Sequence, residues 1–264
     1  MSTEKYFFVF CKESVLLEER LDGSYAIPLS EEPPTDVRPW TVIMDVTTFE
    51  GHEVKAYCID MPPASSRPLS LNPVPLRQSY YKLPLPFYLL AGKCAELLYW
   101  ERSNRFCGVC GGHMKMHTNI SKRCEQCGKE QWPQVAPAVI VLIHRGPDEV
   151  LLARGRSFRS NFYGLIAGFV ETGETLEEAV HREVMEETGL RIQNLRYFGS
   201  QPWPYPCGIM VGFHADYAGG ELHLQREEIS KAAWFHRDNL PNLPEKLSIA
   251  RRLIDDWINT PTDS

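Results

Sequence analysis

The segment from Gly168 to Leu190, GFVETGETLEEAVHREVMEETGL, constrains the fold of this chain more than any other part of it. Thr175 and Glu178 have the spacing of a capping box at a helix start, and Gly189 stands where a left-handed cap would end the helix. Between these signals runs an apolar stripe at helical spacing, made of Leu176, Ala179, Val180 and Val184. The segment therefore predicts an amphipathic helix with defined ends that packs on a sheet.

Three glutamates crowd one side of this predicted helix. Glu183, Glu186 and Glu187 stand at positions i, i+3 and i+4, where like charges destabilise a helix by roughly a few tenths of a kcal/mol per pair. A hard cation such as Mg²⁺ or Mn²⁺ would neutralise them, because these ions prefer oxygen ligands. For an arbitrary helix, a solvated acidic face is the commoner explanation of such a pattern.

The complete segment resembles the Nudix box, G-x5-E-x7-R-E-U-x-E-E-x-G-U with U aliphatic, at every defined position. The matching residues are Gly168, Glu174, Arg182, Glu183, Val184, Glu186, Glu187, Gly189 and Leu190. A chance match has a frequency on the order of 10⁻⁹ per starting position. The resemblance to the Nudix hydrolase superfamily implies an α/β/α sandwich and metal-dependent hydrolysis of a nucleoside diphosphate joined to another group.

The resemblance also implies roles for the charged positions of the box. Glu183 and Glu187 match the principal ligands of the catalytic ions, Mg²⁺ or Mn²⁺ in a set of two or three, and Glu186 contributes. Glu174 and Arg182 match a salt bridge that fixes the loop to the helix. These five residues are the expected catalytic set, in which the general base stays open.

Two further metal ligands are implied by the same resemblance, outside the box itself. Ala167, directly before the box, would offer its backbone carbonyl to the metal. Glu228, in QREEIS, matches an acidic ligand that lies after the box, and the neighbouring Glu227 is the alternative.

Composition and the chain start indicate the compartment. The run YFFVF near the start is too short for a signal peptide or a membrane span, and no stretch approaches about 18 consecutive apolar residues. We therefore expect a cytoplasmic protein without membrane contact, in which thiols stay reduced. The formal charge of −6 argues against a broad nucleic-acid surface but is compatible with a small basic pocket that grips one phosphate.

Four of the eight cysteines form a cluster, CGVCGGHMKMHTNISKRCEQCG. The two Cys-x-x-Cys knuckles, separated by thirteen residues, are Cys107 with Cys110 and Cys124 with Cys127. In a reducing compartment this spacing predicts one tetrahedral Zn²⁺ per chain. Four thiolates leave zinc no open position, so its role is expected to be structural. His113 and His117 are the competing ligands.

A second motif, SQPWPYP, starts at Ser200, ten residues after Leu190. Prolines stiffen this aromatic loop, which suits either base stacking or a rigid structural turn. It resembles SQPWPFP of the NADH pyrophosphatase and NAD-capped RNA hydrolase subfamily, which also has a zinc ribbon and a divergent N-terminal domain. The implied substrate-binding residues are Gln201, Pro202, Trp203, Pro204, Tyr205, Pro206, Cys207 and Gly208.

The chain departs from that subfamily pattern at two places. Tyr205 replaces the usual phenylalanine and adds a hydroxyl, whereas Cys207–Gly208 stands where a residue followed by serine is frequent. The loss of the serine is expected to weaken one substrate hydrogen bond, so the substrate preference is less constrained than the class of reaction.

The resemblance implies further substrate contacts at positions of this chain that match the subfamily. Phe169 matches an aromatic that stacks on the nicotinamide ring, and Trp132 falls where the subfamily often has tyrosine. Ala250 matches a substrate-contacting position, although helix packing explains it equally well. Arg77 matches a basic substrate-binding residue in the N-terminal part.

The chain as a whole is expected to be of the α+β or α/β class, with three domains. Residues 1–100 combine short β-type runs with two proline-rich connectors, IPLSEEPPTDVRP and PPASSRPLSLNPVP, and end in a helix, PFYLLAGKCAELLYWERS. They predict a small, mostly antiparallel domain, followed by the ribbon at 101–132. Residues 133–264 predict the Nudix domain with a mixed sheet, whose strands include AVIVLI, EVLLAR, YGLIAGFV, LRYFGS, GIMVGFHADY and ELHL.

The predicted function is hydrolysis of NAD(H) to nicotinamide mononucleotide and AMP, together with removal of NAD caps from RNA 5′ ends, by a homodimer. One alternative is a Nudix hydrolase of ADP-ribose, a dinucleoside polyphosphate or coenzyme A. Another is a nucleic-acid-binding module in which the ribbon is active and the Nudix domain inert. The basic residues that favour this last alternative are Arg102, Arg105, Lys115, Lys122, Arg123 and Lys129.

Overall fold

The structure, a computed structural model, describes residues 3–61, 70–156 and 161–261. The chain divides into two compact units. The N-terminal unit comprises Met1–Gln134 with Pro204–Cys207, and the C-terminal unit comprises Val135–Trp203 with Gly208–Ser264. A further boundary between an N-terminal domain and the ribbon, near residue 100, remains a proposal.

A seven-stranded sheet forms the first part of the N-terminal unit. Its strands are β1 (Lys5–Cys11), β2 (Ser14–Glu19), β3 (Tyr25–Ala26), β4 (Leu29–Ser30), β5 (Met44–Phe49), β6 (His52–Ile59) and β7 (Leu71–Pro75). The order is β3-β2-β1-β6-β5, with β4 beside β1 and β7 beside β2. All of these pairs are antiparallel except β1 with β6, so the predicted mostly antiparallel sheet is confirmed.

The second proline-rich stretch was interpreted as a connector between elements, and this was wrong for its last residues. Leu71–Pro75 forms β7 and pairs with β2, for example Val74 with Val15. Proline is tolerated in an edge strand because the missing backbone donor is not needed on the open side. The first part of the connector, residues 62–69, lies outside the described residues.

The helix α1 (Leu85–Ser103) follows a short 3-10 helix, Leu76–Tyr81, and confirms the predicted helix before the ribbon. Leu97, Leu98 and Trp100 of α1 are buried in one cluster with Phe8 and Leu17 of the sheet. This cluster is the hydrophobic core of the N-terminal unit.

The cysteine-rich part is a three-stranded antiparallel sheet attached to the end of α1. Its strands are β8 (Met114–Thr118), β9 (Ser121–Cys124) and β10 (Glu130–Gln131). Lys122 of β9 is buried, and its ammonium donates to the carbonyl oxygens of Glu101 and Asn104 at 2.5 and 3.1 Å. A buried lysine needs such partners, so these bonds fix the ribbon to the helix.

The C-terminal unit is built on a six-stranded mixed sheet. Its elements are β11 (Ala136–Arg145), β12 (Glu149–Gly155), β13 (Ile166–Phe169), α2 (Leu176–Thr188), β14 (Arg191–Trp203), β15 (Gly208–Gly219), β16 (Ile229–His236) and α3 (Ile249–Asn259). The strand order is β14-β15-β11-β12-β16, and β13 pairs with β11. β11 and β15 run parallel, whereas the other pairs are antiparallel.

The central strand β11 presents alternate residues to opposite faces of this sheet. Val139 and Val141 lie in one buried cluster with Val180 of α2, whereas Leu142 lies in another with Leu253 of α3. Strands buried on both faces have near-continuous apolar sequences, which explains the run AVIVLI. The two helices therefore cover opposite faces, and the predicted α/β/α sandwich is confirmed.

Both local signals for α2 are confirmed. The Thr175 hydroxyl accepts from the Glu178 N–H and the Glu178 carboxylate accepts from the Thr175 N–H, while Gly189 has φ of 70°.

The prediction of a strand at ELHL was wrong, and β16 was not predicted. The stretch at residues 221–224 is irregular, because its backbone bonds to the end of α2 and not to a strand. The His223 N–H donates to the Thr188 carbonyl at 2.8 Å, and Gln225 donates to Glu187 at 3.1 Å. Gly219 and Gly220, at φ of 137° and 104°, turn the chain away from β15.

Within the described ranges, no helix has the length and apolarity that crossing a membrane would require.

Candidate active site and cysteine cluster

An acidic cluster forms where β13 meets α2. Glu183 extends from α2 toward the strand, so that a β-carbon built on Gly168 would lie 1.9–2.3 Å from the Glu183 carboxylate atoms. Only a residue without a side chain leaves this space to the carboxylate. The glycine at the start of the box therefore has a steric function in the site.

Arg182 connects the strand, the loop and the helix. Its guanidinium donates to both carboxylate oxygens of Glu174, at 2.6 and 3.0 Å, and to the Phe169 carbonyl at 3.0 Å. It also donates to Glu183 at 2.9 Å and to Glu186 at 3.1 Å. These hydrogen bonds lower the pKa of Glu174 to about 2 and raise the pKa of Arg182.

Glu187 is the most buried carboxylate of the cluster. Its side chain is 5% exposed, and among the described residues Oε2 has no hydrogen-bond partner. Burial, followed by the charges of Glu183, Glu228 and Glu186, raises the pKa of Glu187 to about 8. A buried carboxylate without a partner is costly, so this site is suited to a cation.

Glu183 and Glu228 belong to the same electrostatic cluster. Burial raises the pKa of Glu183, the Arg182 hydrogen bond lowers it, and the charges of Glu186 and Glu228 raise it. The charge of Glu228 raises the pKa of both Glu183 and Glu187. Glu228 therefore belongs to the acidic cluster that Glu183 and Glu187 form.

The strand beside the cluster holds the other predicted positions. Ala167 precedes Gly168 in β13 and pairs with Ile140, and Phe169 follows it with 66% of its surface exposed. An exposed phenylalanine next to a carboxylate cluster offers a ring face to a ligand.

The SQPWPYP motif is divided between a strand and a turn. Gln201, Pro202 and Trp203 lie in β14, whereas Pro204–Cys207 belongs to the N-terminal unit. The Tyr205 hydroxyl lies 3.2 Å from the Tyr88 hydroxyl of α1, which gives the additional hydroxyl a structural partner.

Gln201 and Gly208, at the two ends of the predicted substrate-binding segment, both have close structural contacts. A β-carbon at residue 208 would lie 3.3 Å from the Trp203 carbonyl oxygen, tighter than ordinary van der Waals contact, which favours glycine over serine there. Gln201 is buried; its amide donates to the Leu247 carbonyl at 2.8 Å, and its Oε1 has no partner in the described part of the chain. Ala250 is partly buried in the α3 cluster, in agreement with helix packing.

Trp132 and Arg77 are predicted site residues that belong to the N-terminal unit. Trp132 is 52% exposed directly after β10, and Arg77 is exposed in the 3-10 helix.

The four predicted zinc ligands are brought together. The Sγ atoms of Cys107, Cys110, Cys124 and Cys127 all lie within 4.8 Å of one another. Among the described residues this is the one group of three or more potential ligands at that spacing, so the carboxylates of the acidic cluster lie further apart.

Backbone hydrogen bonds lower the pKa of two of these thiols. A hydrogen bond from the Cys127 N–H is the main cause that lowers the pKa of Cys124 to about 6, and the Val109 N–H lowers the pKa of Cys107. Each knuckle ends in a glycine, Gly111 or Gly128, with φ of 73°. The lowered pKa values of Cys107 and Cys124 favour thiolates, the form that binds zinc. At Cys110 the Gly112 N–H lowers the pKa, but hydrogen bonds with Cys124 and Cys127 outweigh it and raise the pKa to about 12.

Two further features of the C-terminal unit were not predicted. One is the steric function of Gly168, because contacts between helix and strand leave no trace in sequence spacing. The other is a partly buried histidine pair, in which His144 Nε2 lies 2.8 Å from His214 Nδ1. The nearly apolar strands around these histidines are the signal that would have indicated their burial.

The α/β/α unit with its capped, acid-lined helix has the architecture expected of a Nudix hydrolase domain. Comparison with known proteins supports this class. The NUDIX domain model matches residues 134–257. The chain is 44% identical to the NAD-capped RNA hydrolase NudC of Deinococcus radiodurans, across 76% of this chain and 73% of that protein. The chain therefore belongs to the Nudix family.

A second relative and a solved structure complete the comparison. The chain is 48% identical to the NAD-capped RNA hydrolase NudC of Pectobacterium atrosepticum, over 65% of this chain; it spans slightly less than two thirds of that relative, 66%. A NUDIX hydrolase structure from Nitrosomonas europaea has a TM-score of 0.50 and 21% identity, covering 58% of this chain and 90% of its own. This last similarity supports the fold alone.

Proposed function

We propose that this chain hydrolyses the pyrophosphate bond of NAD(H) to nicotinamide mononucleotide and AMP, and removes NAD caps from RNA 5′ ends. The observation that supports this best is the buried Glu187 carboxylate, with an unpartnered oxygen beside Glu183 and Glu228. The names of the relatives, NAD-capped RNA hydrolase NudC, support the substrate.

The acidic cluster fits a divalent cation. Glu183, Glu187 and Glu228 with the carbonyl of Ala167 would hold Mg²⁺ or Mn²⁺, because all four offer oxygen, the donor that these hard ions prefer. The set of two or three ions implied by the family is part of this proposal. When bound, the ions would neutralise phosphate charge and make water a stronger nucleophile.

The protein's own groups would position the substrate and the ligands. Arg182 fixes Glu174 and the end of β13, so the loop and helix keep their spacing. Phe169 would stack on the nicotinamide ring, because its exposed face lies beside the cluster. Stacking and orientation restrict the dinucleotide to geometries in which the bridging oxygen faces the carboxylates.

The remaining predicted contacts are proposals of the same kind. The motif from Gln201 to Gly208 would line the substrate site together with Ala250. Trp132 and Arg77 would contact the dinucleotide as well, and the family resemblance supports a homodimer with a composite site. The cysteine cluster would hold one structural Zn²⁺, which a reducing cytoplasm would keep loaded.

Product analysis tests the proposed substrate. The purified chain with Mg²⁺ is incubated in parallel with NADH, ADP-ribose, a dinucleoside tetraphosphate, coenzyme A and NAD-capped RNA, and products are separated by chromatography. We expect nicotinamide mononucleotide from NADH, and monophosphorylated 5′ ends from capped RNA, at the highest values of kcat/KM. Faster hydrolysis of any of the other three would contradict the substrate assignment.

A further inference from the structure

The N-terminal unit contains a cavity that the proposed hydrolysis does not use. Its volume is about 850 Å³, within the range of roughly 300–1,000 Å³ that small-molecule sites occupy. The lining combines basic, aromatic and apolar side chains, among them Arg38, Trp40, Ile59, Leu98, Arg102 and Arg105.

A tight turn presents an aromatic ring at this cavity. The Thr41 N–H donates to the Arg38 carbonyl at 2.9 Å, and Pro39 at the second position of this turn restricts its backbone. The Arg38 guanidinium lies 5.5 Å from the centre of the Trp40 ring and also bonds to Asp60 at 3.1 Å. The Arg38 guanidinium therefore packs against the Trp40 ring, while 70% of the Trp40 surface stays exposed.

Two arginines at the end of α1 have no carboxylate partner in the part of the chain that the structure describes. The Arg102 guanidinium donates to the Cys58 sulfur at 3.8 Å, and Arg105 is exposed beyond the last turn of the helix. Of the carboxylates in the lining, Asp60 is paired with Arg38, and Glu101 is paired with Lys122 at 3.2 Å. Asp36 is the third and is exposed.

The structure divides the basic residues around the ribbon into different groups. Lys122 is buried, and Lys115 pairs with Glu125 at 2.5 Å. Arg123 and Lys129 are exposed but do not line the cavity. Of this basic set, Arg102 and Arg105 line the cavity that Trp40 also lines.

We propose that this cavity binds a nucleoside phosphate, with the base stacked on Trp40 and the phosphate between Arg102 and Arg105. Indole rings stack on any base, and guanidinium groups form charge-assisted hydrogen bonds with phosphate oxygens. The same unit occurs as a free nucleotide and as one residue of single-stranded RNA. All the lining residues belong to the N-terminal unit, and the site goes beyond the proposed hydrolysis.

Titration calorimetry on the full chain without added divalent cations tests this proposal. The probes are AMP, adenosine, inorganic phosphate and pentaadenylate with a 5′-hydroxyl. We expect AMP or pentaadenylate to bind better than adenosine or phosphate alone. We expect Arg102→Gln/Arg105→Gln to weaken binding at least about tenfold, and Trp40→Ala at least about fivefold.

Two controls locate the binding. Arg123→Gln/Lys129→Gln removes the same charge from the same unit outside the cavity, and Phe169→Ala removes the exposed ring beside the acidic helix. Both should bind the probes with unchanged affinity. Thermal unfolding of each variant verifies that it is folded.

The outcomes separate the possible sources of the ligand. Binding of AMP and pentaadenylate alike supports a free nucleotide, and binding of pentaadenylate alone supports RNA. Binding that is unaffected by the cavity variants, or lost in the Arg123/Lys129 control, would overturn the proposal. A hexaglutamate peptide that displaces the probes equally well from wild type and from Trp40→Ala would also overturn the proposal. That result would indicate a basic surface that binds any anion.

Discussion

Gly168 illustrates how one missing side chain shapes the acidic site. The Glu183 carboxylate occupies the volume where a β-carbon of residue 168 would lie, at 1.9–2.3 Å. Because the clash involves the flexible end of Glu183, we expect Gly168→Ala to displace that carboxylate without unfolding the protein. Hydrolysis of NADH should fall at least about tenfold, which corresponds to roughly 1.4 kcal/mol of lost transition-state stabilisation.

Gly199→Ala is the matched control for this substitution. A β-carbon there meets only Arg252 Nη2, at 3.8 Å, so activity and thermal unfolding should stay near wild type. Full activity of Gly168→Ala, or an equal loss in both variants, would contradict the steric function of Gly168.

The partly buried pair of His144 and His214 predicts a dependence of stability on pH. Burial, followed by the charges of His214 and Arg196, lowers the pKa of His144 to about 4, below its ordinary value near 6.5. A lowered histidine pKa stabilises the fold above the unfolded pKa, and this stability is lost as the pH falls from about 6.5 toward 4. Glu96 and Glu187, with raised pKa values, act in the opposite direction, so the effect of His144 must be isolated by a variant.

Urea unfolding of wild type and His144→Gln at pH 7.5 and pH 5 measures this contribution. We expect the wild type to lose about 2 kcal/mol more than the variant between the two values. His223→Gln, at an exposed histidine, should behave as wild type. Identical pH dependence in wild type and His144→Gln would disprove the assignment.

At the scale of elements, the ends of α2 have local causes that can be tested separately. The Thr175 hydroxyl accepts from the Glu178 N–H at 3.2 Å as half of the capping box. Thr175→Ala should lower the free energy of unfolding by about 1 kcal/mol, whereas Thr175→Ser keeps the acceptor and should restore most of it. Calorimetric unfolding compares the two variants, and equal destabilisation would show that the cap is not the cause.

The elements also show what could be predicted from sequence. The helix α2 and its Gly189 cap were predictable because they depend on residues three or four positions apart. The irregular stretch at residues 221–224 was not, because its backbone bonds to Thr188 and Glu187 are tertiary contacts. The strand at Leu71–Pro75 was missed because the two prolines suggested a loop, although β2 supplies a partner at an edge.

The candidate site was predicted in part for the same reason. The spacing of Glu183, Glu186 and Glu187 places the carboxylates on one side of a helix, and the family resemblance supplied Glu228. The resemblance left Glu227 as an alternative to Glu228, because adjacent residues cannot be distinguished by motif spacing. The contact of Glu183 with Gly168 and the cavity beside Trp40 arise only after the chain has folded.

At the scale of the whole molecule, the cysteine cluster should contribute to stability and not to chemistry. Removal of zinc with a nitrogen-donor chelator that leaves Mg²⁺ free should lower Tm by several degrees, because metal binding stabilises the folded ribbon. The rate of NADH hydrolysis at 25 °C should change little over the same interval. Cys58→Ser, outside the cluster, should keep the Tm response to the chelator, whereas Cys127→Ser should abolish it. Loss of activity without a shift in Tm would contradict a structural zinc.

The central claim is that the acidic face of α2 holds the cation on which hydrolysis depends. Its most direct test is the initial rate of nicotinamide mononucleotide release from NADH as a function of MgCl₂ concentration. The rate is measured for wild type, for Glu187→Gln and for the control Glu177→Gln, at an exposed position of the same helix. We expect Glu187→Gln to lose at least about a thousandfold in rate at every concentration while its Tm stays equal or rises, because a buried, repelled charge is removed. Glu177→Gln should follow the wild-type curve, and near-normal turnover of Glu187→Gln would contradict the account.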